Sequence, residues 1–348
     1  MEKSSGWTSE EQKLLELMYD RHGPQKLEEL FKDLGYTRSA DAIRRKAGRA
    51  GLKDSTEVQA ETSIEQTWKE IEGEKIDWRS PKDAIARQIL VMSCWHIPFH
   101  IRDLIELAVL ENPQASILVL AGDLLDCFAI SKWPKVHLSG VALKKEYEEA
   151  LDILEWLAPK FEKIILLKGN HEDRWSSYIA DRVHKEARFL VNTEVLQRLA
   201  DGEVMDETGR VVDKVELPNV EYIDASGIDA WWVRLGDAIV CHSTKSSSVP
   251  GKGLATLIDD FTGYAVNFNV LVWSHSHMQA TIPYRGKVGF ETGCMCADML
   301  YARDAKMKYN RPAHVGYTLL SQDKQGRTIL QHSKNVLLHT YTRRPIDR

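Results

Sequence analysis

The amino-acid sequence predicts an α/β (α+β) fold with two β-sheets, preceded by a small all-α domain of three helices. Apolar side chains within residues 1–52 recur at helical spacing, whereas short apolar runs alternate with amphipathic segments from Gln88 onward. Fewer helices separate the later strands, which predicts a second and more antiparallel sheet. A length of 348 residues fits two domains, one of them small. We therefore predict a helical domain at 1–52, a polar linker at 53–84 and a second domain at 85–348.

The composition is that of a soluble globular protein. The net charge of −5 argues against a nucleic-acid-binding surface that covers the whole chain, although not against a local basic patch. Five cysteines form no CxxC pair, which indicates a reducing compartment. The first residues lack the apolar segment of a secretory signal, and no apolar run approaches the roughly 18 residues that span a bilayer. We expect a cytoplasmic protein with neither a membrane nor a secreted partner.

Three helices are predicted in the N-terminal domain. Ser9 can cap a helix over Glu10–Tyr19, and the sequence His22-Gly23-Pro24 ends it. A second helix follows over Gln25–Leu34, and Ser39 caps a third helix with the sequence DAIRRKAGRAGL.

The third helix is basic. It carries Arg44, Arg45, Lys46 and Arg49. With the pattern WTxEE followed by RSxxAIRxKAxRxGL, the three helices resemble a Myb-type helix-turn-helix domain, and this resemblance implies that the four basic residues bind DNA. Two other interpretations stay open, namely a basic helix face that is only solvated and a protein-docking module.

Strands and helices alternate in the second domain. The linker before it contains one predicted short helix, around Ile64–Ile71. The first buried strands are predicted at 88–93, 116–121 and 163–168, with helices at 101–111 and 142–158. Such strand–helix–strand units favour a sheet with right-handed crossovers. The strands assigned to the second sheet are 231–234, 237–241, 269–273, 279–284, 288–292 and 315–320.

Potential metal ligands follow five of these strands directly. They are Cys94 and His96, Asp123 and Asp126, Asn170 and His171, His242, and finally His275 and His277. Ligands at the carboxyl ends of strands in an open α/β sheet converge on one crevice. A single histidine is weak evidence, but five consecutive strand ends with such residues predict a metal site.

The series CWH, GDLLD, GNHE, CH and SHSH resembles the motifs DxH, GDxxD, GNH(E/D), H and GHxH of the calcineurin-like metallophosphoesterase superfamily. The resemblance extends over roughly residues 85–335 and implies a two-sheet β-sandwich flanked by helices. The SxxHIPFH and GNHExR segments are most similar to the stand-alone members that phages encode. The protein-phosphatase branch has Asp-Arg-Gly where this chain has Asp126-Cys127-Phe128, which disfavours that branch.

The resemblance implies a centre of two divalent metal ions with Asp123 as the bridging ligand. The first ion would bind Cys94, His96, Asp123 and His277. The second ion would bind Asp123, Asn170, His242 and His275. Zinc, manganese or iron are the expected ions. Two such ions jointly activate water and hold a phosphoryl group.

Three further residues are implied in catalysis. His171 would act as the general acid toward the leaving-group oxygen. Asp126 would hydrogen-bond the His171 ring, or alternatively cap a helix. Arg174 would bind a nonbridging phosphate oxygen, or alternatively pair with Glu172 or Asp173.

Cys94 occupies the position where the superfamily has aspartate. A thiolate keeps the negative charge but favours softer ions such as zinc or ferrous iron. The alternative is an uncoordinated thiol and a weakened first site. Cys241, Cys294 and Cys296 are predicted core residues, and no histidine near the CxC sequence suggests a zinc site there. Ser274 replaces the glycine of GHxH, a change that the turn can tolerate.

The sequence thus predicts a metal-dependent phosphoesterase that hydrolyses phosphomonoesters or phosphodiesters without a covalent intermediate. The N-terminal domain favours DNA as the partner, and therefore a nuclease or an end-processing phosphatase. The alternatives are a DNA-binding protein with an inactive phosphoesterase domain, and a protein or nucleotide phosphatase.

Overall fold

The computed structural model describes the ranges 6–52, 85–131, 142–191, 194–224, 226–227, 230–297 and 313–341. The chain divides into two compact units, one within residues 1–80 and one within residues 81–348. The predicted linker at 53–84, with its helix around Ile64–Ile71, lies outside the described residues.

The N-terminal unit contains helix α1 (Ser9–Asp33) and helix α2 (Ala40–Arg49). Gly23 interrupts α1, because its φ of 64° and ψ of 170° are not helical, and Pro24 follows directly. The two halves of α1 therefore correspond to the first and second predicted helices. Ser39 caps α2 as predicted, since its Oγ accepts the amide of Ala42 at 3.3 Å.

The cap of α1 is Thr8, so the prediction that Ser9 caps this helix was wrong by one residue. Thr8 Oγ1 accepts the Glu11 amide at 3.2 Å, and the Glu11 carboxylate accepts the Thr8 amide at 2.7 Å. This reciprocal pair satisfies two backbone donors and forms a capping box.

A single buried cluster holds the helices of this unit together. Its members are Leu15, Tyr19, Leu27, Phe31, Ile43 and Ala47. Arg38 supports the cluster from its edge, because its guanidinium pairs with the buried Glu11 at 2.7 Å and lies 5.0 Å from the centre of the Trp7 ring. Arg38 therefore has a structural role in this unit.

The second unit contains two six-stranded sheets and one small hairpin. The strands are β1 (Arg87–Met92), β2 (Ala115–Ala121), β3 (Lys163–Leu167), β4 (Glu203–Met205), β5 (Val211–Lys214), β6 (Val220–Ile223), β7 (Ser226–Gly227), β8 (Ala230–Leu235), β9 (Ala238–Ser243), β10 (Val270–Ser274), β11 (Gln279–Tyr284), β12 (Lys287–Thr292), β13 (Ala313–Gln322) and β14 (Lys334–Tyr341). The helices are α3 (Arg102–Glu111), α4 (Leu143–Leu157), α5 (Asp173–Arg182), α6 (Val195–Ala200) and α7 (Lys252–Gly263).

The first sheet has the order β14-β13-β1-β2-β3-β6, and the second has the order β11-β12-β10-β9-β8-β7. Strands β1, β2, β3 and β6 are parallel, as the alternation of strands and helices predicts. In the second sheet β12, β10 and β9 are parallel, and the other three pairings are antiparallel. The second sheet is therefore the more antiparallel one, as predicted.

The assignment of 315–320 to the second sheet was wrong. This segment belongs to β13, which pairs antiparallel with β1 and places Val91 opposite Thr318. An apolar run shows that a strand is buried but not which sheet it joins. The elements β4, β5, β6, β7, β14, α5, α6 and α7 were not predicted, and several of these segments are short or exposed.

Alternate residues of the strands form the core between the sheets. Val91 and Val119 of the first sheet share one buried cluster with Val240 and Val272 of the second sheet. On the outer faces, α3, α4 and α6 cover the first sheet and α7 covers the second. This is the predicted β-sandwich flanked by helices. Among the described residues, no helix combines the length and the apolar character that crossing a membrane requires.

Candidate metal centre

All seven predicted metal ligands lie at one end of the sandwich, where strands of both sheets end. Cys94 and His96 follow β1, Asp123 follows β2, Asn170 follows β3, His242 is near the end of β9, and His275 and His277 follow β10. Five of them have positive φ angles between 49° and 107°, namely Cys94, His96, Asp123, His275 and His277. Such conformations cost non-glycine residues about 1–3 kcal/mol each and are concentrated at functional sites.

The predicted ligands of the first ion lie close together. Ligand atoms of Cys94, His96 and His277 all lie within 4.8 Å of one another. The Nε2 atoms of His96 and His277 are 3.0 Å apart, and His96 Nε2 lies 3.8 Å from Asp123 Oδ2. A thiol, two imidazoles and a carboxylate therefore surround one point.

The predicted ligands of the second ion lie on the other side of Asp123. His242 Nε2 is 3.4 Å from Asp123 Oδ2 and 3.1 Å from Asn170 Oδ1. The ring of His275 lies 5.3 Å from that of His242, and its Nδ1 is buried without a hydrogen-bond partner among the described residues. A buried nitrogen of this kind is costly unless it has a partner, and a metal ion would supply one. The donor set thus fits two ions that share Asp123.

Burial keeps two of the ligand histidines uncharged, as metal binding requires, whereas at His242 the Asp123 carboxylate outweighs burial and raises the pKa. Burial lowers the pKa of His96 to about 4 and that of His275 to about 3, and neighbouring imidazoles add to the effect. Burial also opposes ionisation of Asp123, but the imidazoles of His242 and His171 outweigh it and hold the pKa of Asp123 well below its usual range. Burial and the charge of Asp123 raise the pKa of the Cys94 thiol well above its usual value.

His171, Asp126 and Arg174 form a connected group beside these ligands. His171 Nδ1 donates to the Asp126 carbonyl oxygen at 2.9 Å, and Arg174 Nη2 donates to His171 Nε2 at 2.9 Å. The Asp126 carboxylate lies 3.2 Å from His96 Nδ1 and 3.5 Å from His171 Nδ1. The Asp126 side chain therefore faces both imidazoles, whereas the prediction paired it with His171 alone.

Backbone amides and Arg174 make further contacts around Asp126. The backbone amides of Cys127 and Phe128, which begin the next helical turn, donate at 2.6 and 3.2 Å to the buried carboxylate of Glu146. Arg174 donates to the Asp126 carbonyl oxygen at 2.9 Å. The Glu172 carboxylate accepts backbone amides, and Asp173 forms an ion pair with Lys168 at 3.3 Å.

A comparison of the sequence with protein families gives one match, to the calcineurin-like phosphoesterases, over residues 87–279. The matched segment is more than half of the 348-residue chain. The chain belongs to the calcineurin-like phosphoesterase family. It is accordingly a hydrolase that acts on phosphoester bonds, in a family that depends on metal ions.

Solved structures similar to this phosphoesterase include an archaeal phosphodiesterase, with 10% identity, a TM-score of 0.36, and coverage of 72% of this chain and 99% of the other. A metallophosphoesterase from Sphaerobacter thermophilus has 14% identity and a TM-score of 0.33, with coverage of 67% and 83%. Vps29 from Chaetomium thermophilum has 15% identity and a TM-score of 0.32, with coverage of 74% and 98%. No curated protein matches the chain.

Glu172 connects two of the motif loops in this phosphoesterase, a role that sequence reasoning missed. Its buried carboxylate accepts the amides of Asp123 at 3.1 Å, Leu125 at 2.8 Å and Gly169 at 2.9 Å. Gly169 lies so close to Asp123 that a Cβ there would clash with the Asp123 carboxylate. The GNHE spacing, in which the glutamate follows the glycine by three residues, is the signal that could have identified this contact.

Ser274 orients His242. The two residues are register partners on the parallel strands β10 and β9. Ser274 Oγ donates to the Ala121 carbonyl oxygen at 2.5 Å and lies 3.0 Å from His242 Nδ1, which is itself 3.0 Å from the same carbonyl. These contacts hold Nδ1 of His242 and leave Nε2 directed at Asp123 and Asn170. The replacement of glycine by serine is thus not only tolerated but adds a hydrogen-bonding group.

Two thiols lie beside His277, so the prediction that no histidine is near the CxC sequence was wrong. The Sγ atoms of Cys294 and Cys296 and a ring nitrogen of His277 lie within 4.8 Å of one another. Both cysteines follow β12 and lie outside it, because the chain turns at Gly293. Their distance from His277 in sequence concealed this contact.

A cleft of about 640 Å³ opens next to the ligand Asn170. Arg174, Tyr178 and Arg182 of α5 line it, together with Ser131. Tyr178 is 39% exposed, and the Arg182 guanidinium lies 5.5 Å from the centre of its ring. The cleft thus presents two cations and an aromatic face next to the candidate metal ligands, together with the carboxylates of Asp173 and Asp181.

The four basic residues predicted to bind DNA lie on α2 in the N-terminal unit. Arg44, Arg45 and Arg49 are exposed, and Lys46 is half-buried. Ile43 and Ala47 on the opposite face are buried in the unit's core. Arg44 pairs with Asp41 at 3.1 Å on the surface.

Proposed function

We propose that this phosphoesterase hydrolyses phosphate esters of nucleic acid, as a nuclease or an end-processing phosphatase, with two divalent ions in its centre. The observation that carries the proposal is the convergence of seven potential ligands around the buried Asp123 carboxylate. A carboxylate with imidazoles on both sides is the arrangement that two ions a few ångströms apart require. Zinc, manganese or iron are the ions that these donors favour.

When bound, the ions supply positive charge that activates water and stabilises the charge on the transferring phosphoryl group. The chain's own residues position and protonate the substrate. His171 acts as the general acid: Asp126 holds its Nδ1, and its Nε2, which accepts from Arg174 here, takes up a proton when the substrate phosphate binds this guanidinium. Arg174 contacts a phosphate oxygen, and the substrate phosphate competes with His171 for this guanidinium.

The cleft beside Asn170 supports a nucleic-acid substrate. Arg174 and Arg182 can neutralise backbone phosphates, and the exposed ring of Tyr178 can stack on a base. Trp175 lies 6.4 Å from Tyr178 with nearly parallel ring planes, which extends the aromatic surface of α5.

The N-terminal unit supports the same substrate class. Its three helical segments and exposed basic face on α2 are consistent with a Myb-type helix-turn-helix domain that places α2 in the major groove of DNA. The resemblance to phage-encoded members rests on the sequence alone. All five cysteines are free and buried, which supports a cytoplasmic location.

The test is metal analysis of the purified full chain, combined with hydrolysis of bis-p-nitrophenyl phosphate, p-nitrophenyl phosphate and DNA. We expect hydrolysis of DNA and of at least one small ester, and loss of both when a chelator removes the ions. Hydrolysis of small esters without any action on DNA would overturn the proposed substrate. An inactive, metal-free chain would favour the alternative of a DNA-binding protein whose phosphoesterase domain has lost its activity.

A further inference from the structure

Two buried thiols and one imidazole converge beside the phosphoesterase centre. The Sγ atoms of Cys294 and Cys296 and a ring nitrogen of His277 all lie within 4.8 Å of one another. Sulfur ligands lie about 2.3 Å from zinc and nitrogen ligands about 2.0–2.1 Å, so two ligands of one ion are at most about 4.6 Å apart. The cluster therefore has nearly the dimensions of a three-ligand site for one ion.

His277 presents its two ring nitrogens to different neighbours. Its Nε2 lies 3.0 Å from Nε2 of His96, within the first group of predicted ligands. Its Nδ1 lies 4.0 Å from the Sγ atom of Cys296. The thiols thus approach the ring nitrogen that faces away from the two-ion centre.

Backbone hydrogen bonds hold this cluster in place. The amide of Cys294 donates to the His314 carbonyl oxygen at 3.0 Å, and the amide of His314 donates to the His277 carbonyl oxygen at 2.8 Å. Met295, between the two thiols, donates its amide to the Ser93 carbonyl oxygen at 3.1 Å. Both thiols are buried. Ligands fixed in this way lose little freedom when they bind an ion.

We propose that Cys294, Cys296 and Nδ1 of His277 form a binding site for one thiophilic divalent ion such as Zn²⁺, in addition to the two-ion centre. Two thiolates and an imidazole are ligands that zinc prefers and that magnesium and calcium do not. Three protein ligands leave one position of a tetrahedral ion open. His277 joins the two sites through its opposite ring nitrogens as an imidazolate, and its ring proton and the two thiol protons are released to solvent when the ions bind. The site does not depend on hydrolysis, so this proposal and the proposed function can fail separately.

Zinc content of the full chain tests the proposal. The double variant Cys294→Ser/Cys296→Ser is compared with the control Cys241→Ser, which alters a buried thiol that packs under α7. After saturation with Zn²⁺ and removal of excess, we expect the double variant to retain about one zinc per chain fewer than the wild type and the control. Equal zinc content in all three proteins would overturn the proposal and leave the two thiols as core residues.

X-ray absorption of the zinc-loaded wild type provides a measurement that does not depend on how the variants fold. With Cys94 as the one thiolate of a two-ion centre, about half a sulfur per zinc is expected at about 2.3 Å. If the proposed site also binds zinc, the three thiolates of Cys94, Cys294 and Cys296 are averaged over a total of three ions, and the count rises to about one sulfur per zinc. A count near one half would contradict the proposal even if the double variant does not fold.

Discussion

His96 and His277 face each other with their Nε2 atoms 3.0 Å apart, although they follow strands of different sheets. Two nitrogen ligands at right angles, each about 2.1 Å from one ion, are about 3.0 Å apart. Burial lowers the pKa of His96 to about 4, so this ring is uncharged at neutral pH and can offer a lone pair. The packing of the two sheets therefore places His96 and His277 at a distance at which both can bind one ion.

Replacing Cys94 should change the number of ions that the centre binds and its preference among metals. We expect Cys94→Ala to lose about one metal equivalent, since it removes an anionic ligand of the first site. Cys94→Asp should restore the equivalent and shift the preference toward manganese or magnesium, because a carboxylate is a harder ligand than a thiolate. Metal analysis by mass spectrometry measures both, with Cys241→Ala as the control. Unchanged metal content in Cys94→Ala would show that this thiol is only packed there.

Metal affinity of the first site should increase with pH. Burial and the charge of Asp123 raise the pKa of the Cys94 thiol, so an ion must displace its proton at neutral pH. His96, with a pKa of about 4, is already deprotonated near neutral pH, so it does not contribute to the pH dependence of the metal affinity. Between about pH 6 and about pH 8 we expect roughly tenfold tighter binding per pH unit, measured by competition with a chromophoric chelator. In Cys94→Asp the slope should largely disappear, and an equal slope in both proteins would exclude the thiol as its source.

His171→Ala should separate catalysis from metal binding. A general acid increases the turnover rate roughly 10²–10⁴-fold, so His171→Ala should lose activity by this factor. Its metal content should be unchanged. Asn170→Ala and Asp123→Ala should lose metal as well, because these residues are predicted ligands. Turnover of bis-p-nitrophenyl phosphate and metal analysis test both statements. The control is His184→Ala, which changes an exposed imidazole. Full activity in His171→Ala would remove this residue from the mechanism.

The basic face of α2 should determine the salt dependence of DNA binding. Each neutralised phosphate contributes about −0.9 to the slope of log K against log salt. The triple variant Arg44→Ala/Arg45→Ala/Arg49→Ala should therefore bind DNA more weakly and with a slope less negative by about 2–3. The matched control, Lys13→Ala/Lys26→Ala/Lys32→Ala, removes three exposed charges from α1. Mobility shifts at several salt concentrations measure the slope. Equal affinities for all three proteins would favour the docking interpretation.

The positions of the candidate ligands along the chain were predictable, because each follows an apolar strand and the carboxyl ends of such strands meet. His96, Asp123 and His242 are in contact through this feature alone. What the pattern could not show is which sheet a strand joins. The segment at 315–320 has the apolar pattern of any buried strand, and its pairing with β1 depends on how the chain returns to the first sheet.

The supporting residues were harder to predict for a different reason. Glu172 binds three backbone amides, and its role appears only when the loops that supply those amides are next to each other. Ser274 contacts His242 because β10 and β9 are in register, and register is a property of the folded sheet. Cys294 approaches His277 after a turn at Gly293 that an apolar pattern does not reveal. Local sequence specifies the ligands, whereas tertiary packing specifies their partners.

The central claim is that phosphoester hydrolysis requires two ions held around Asp123. Titration of the metal-free Cys94→Asp variant with Mn²⁺ tests it most directly, because this variant has only hard ligands in the two-ion centre and Mn²⁺ binds weakly to the thiols of Cys294 and Cys296. Hydrolysis of bis-p-nitrophenyl phosphate is followed during the titration. We predict no turnover without metal, an increase up to about two equivalents, and loss of activity when a chelator is added. Asp123→Asn, which removes the shared charge, should stay inactive throughout. Undiminished hydrolysis by the metal-free chain, or full activity at a single equivalent, would contradict the account.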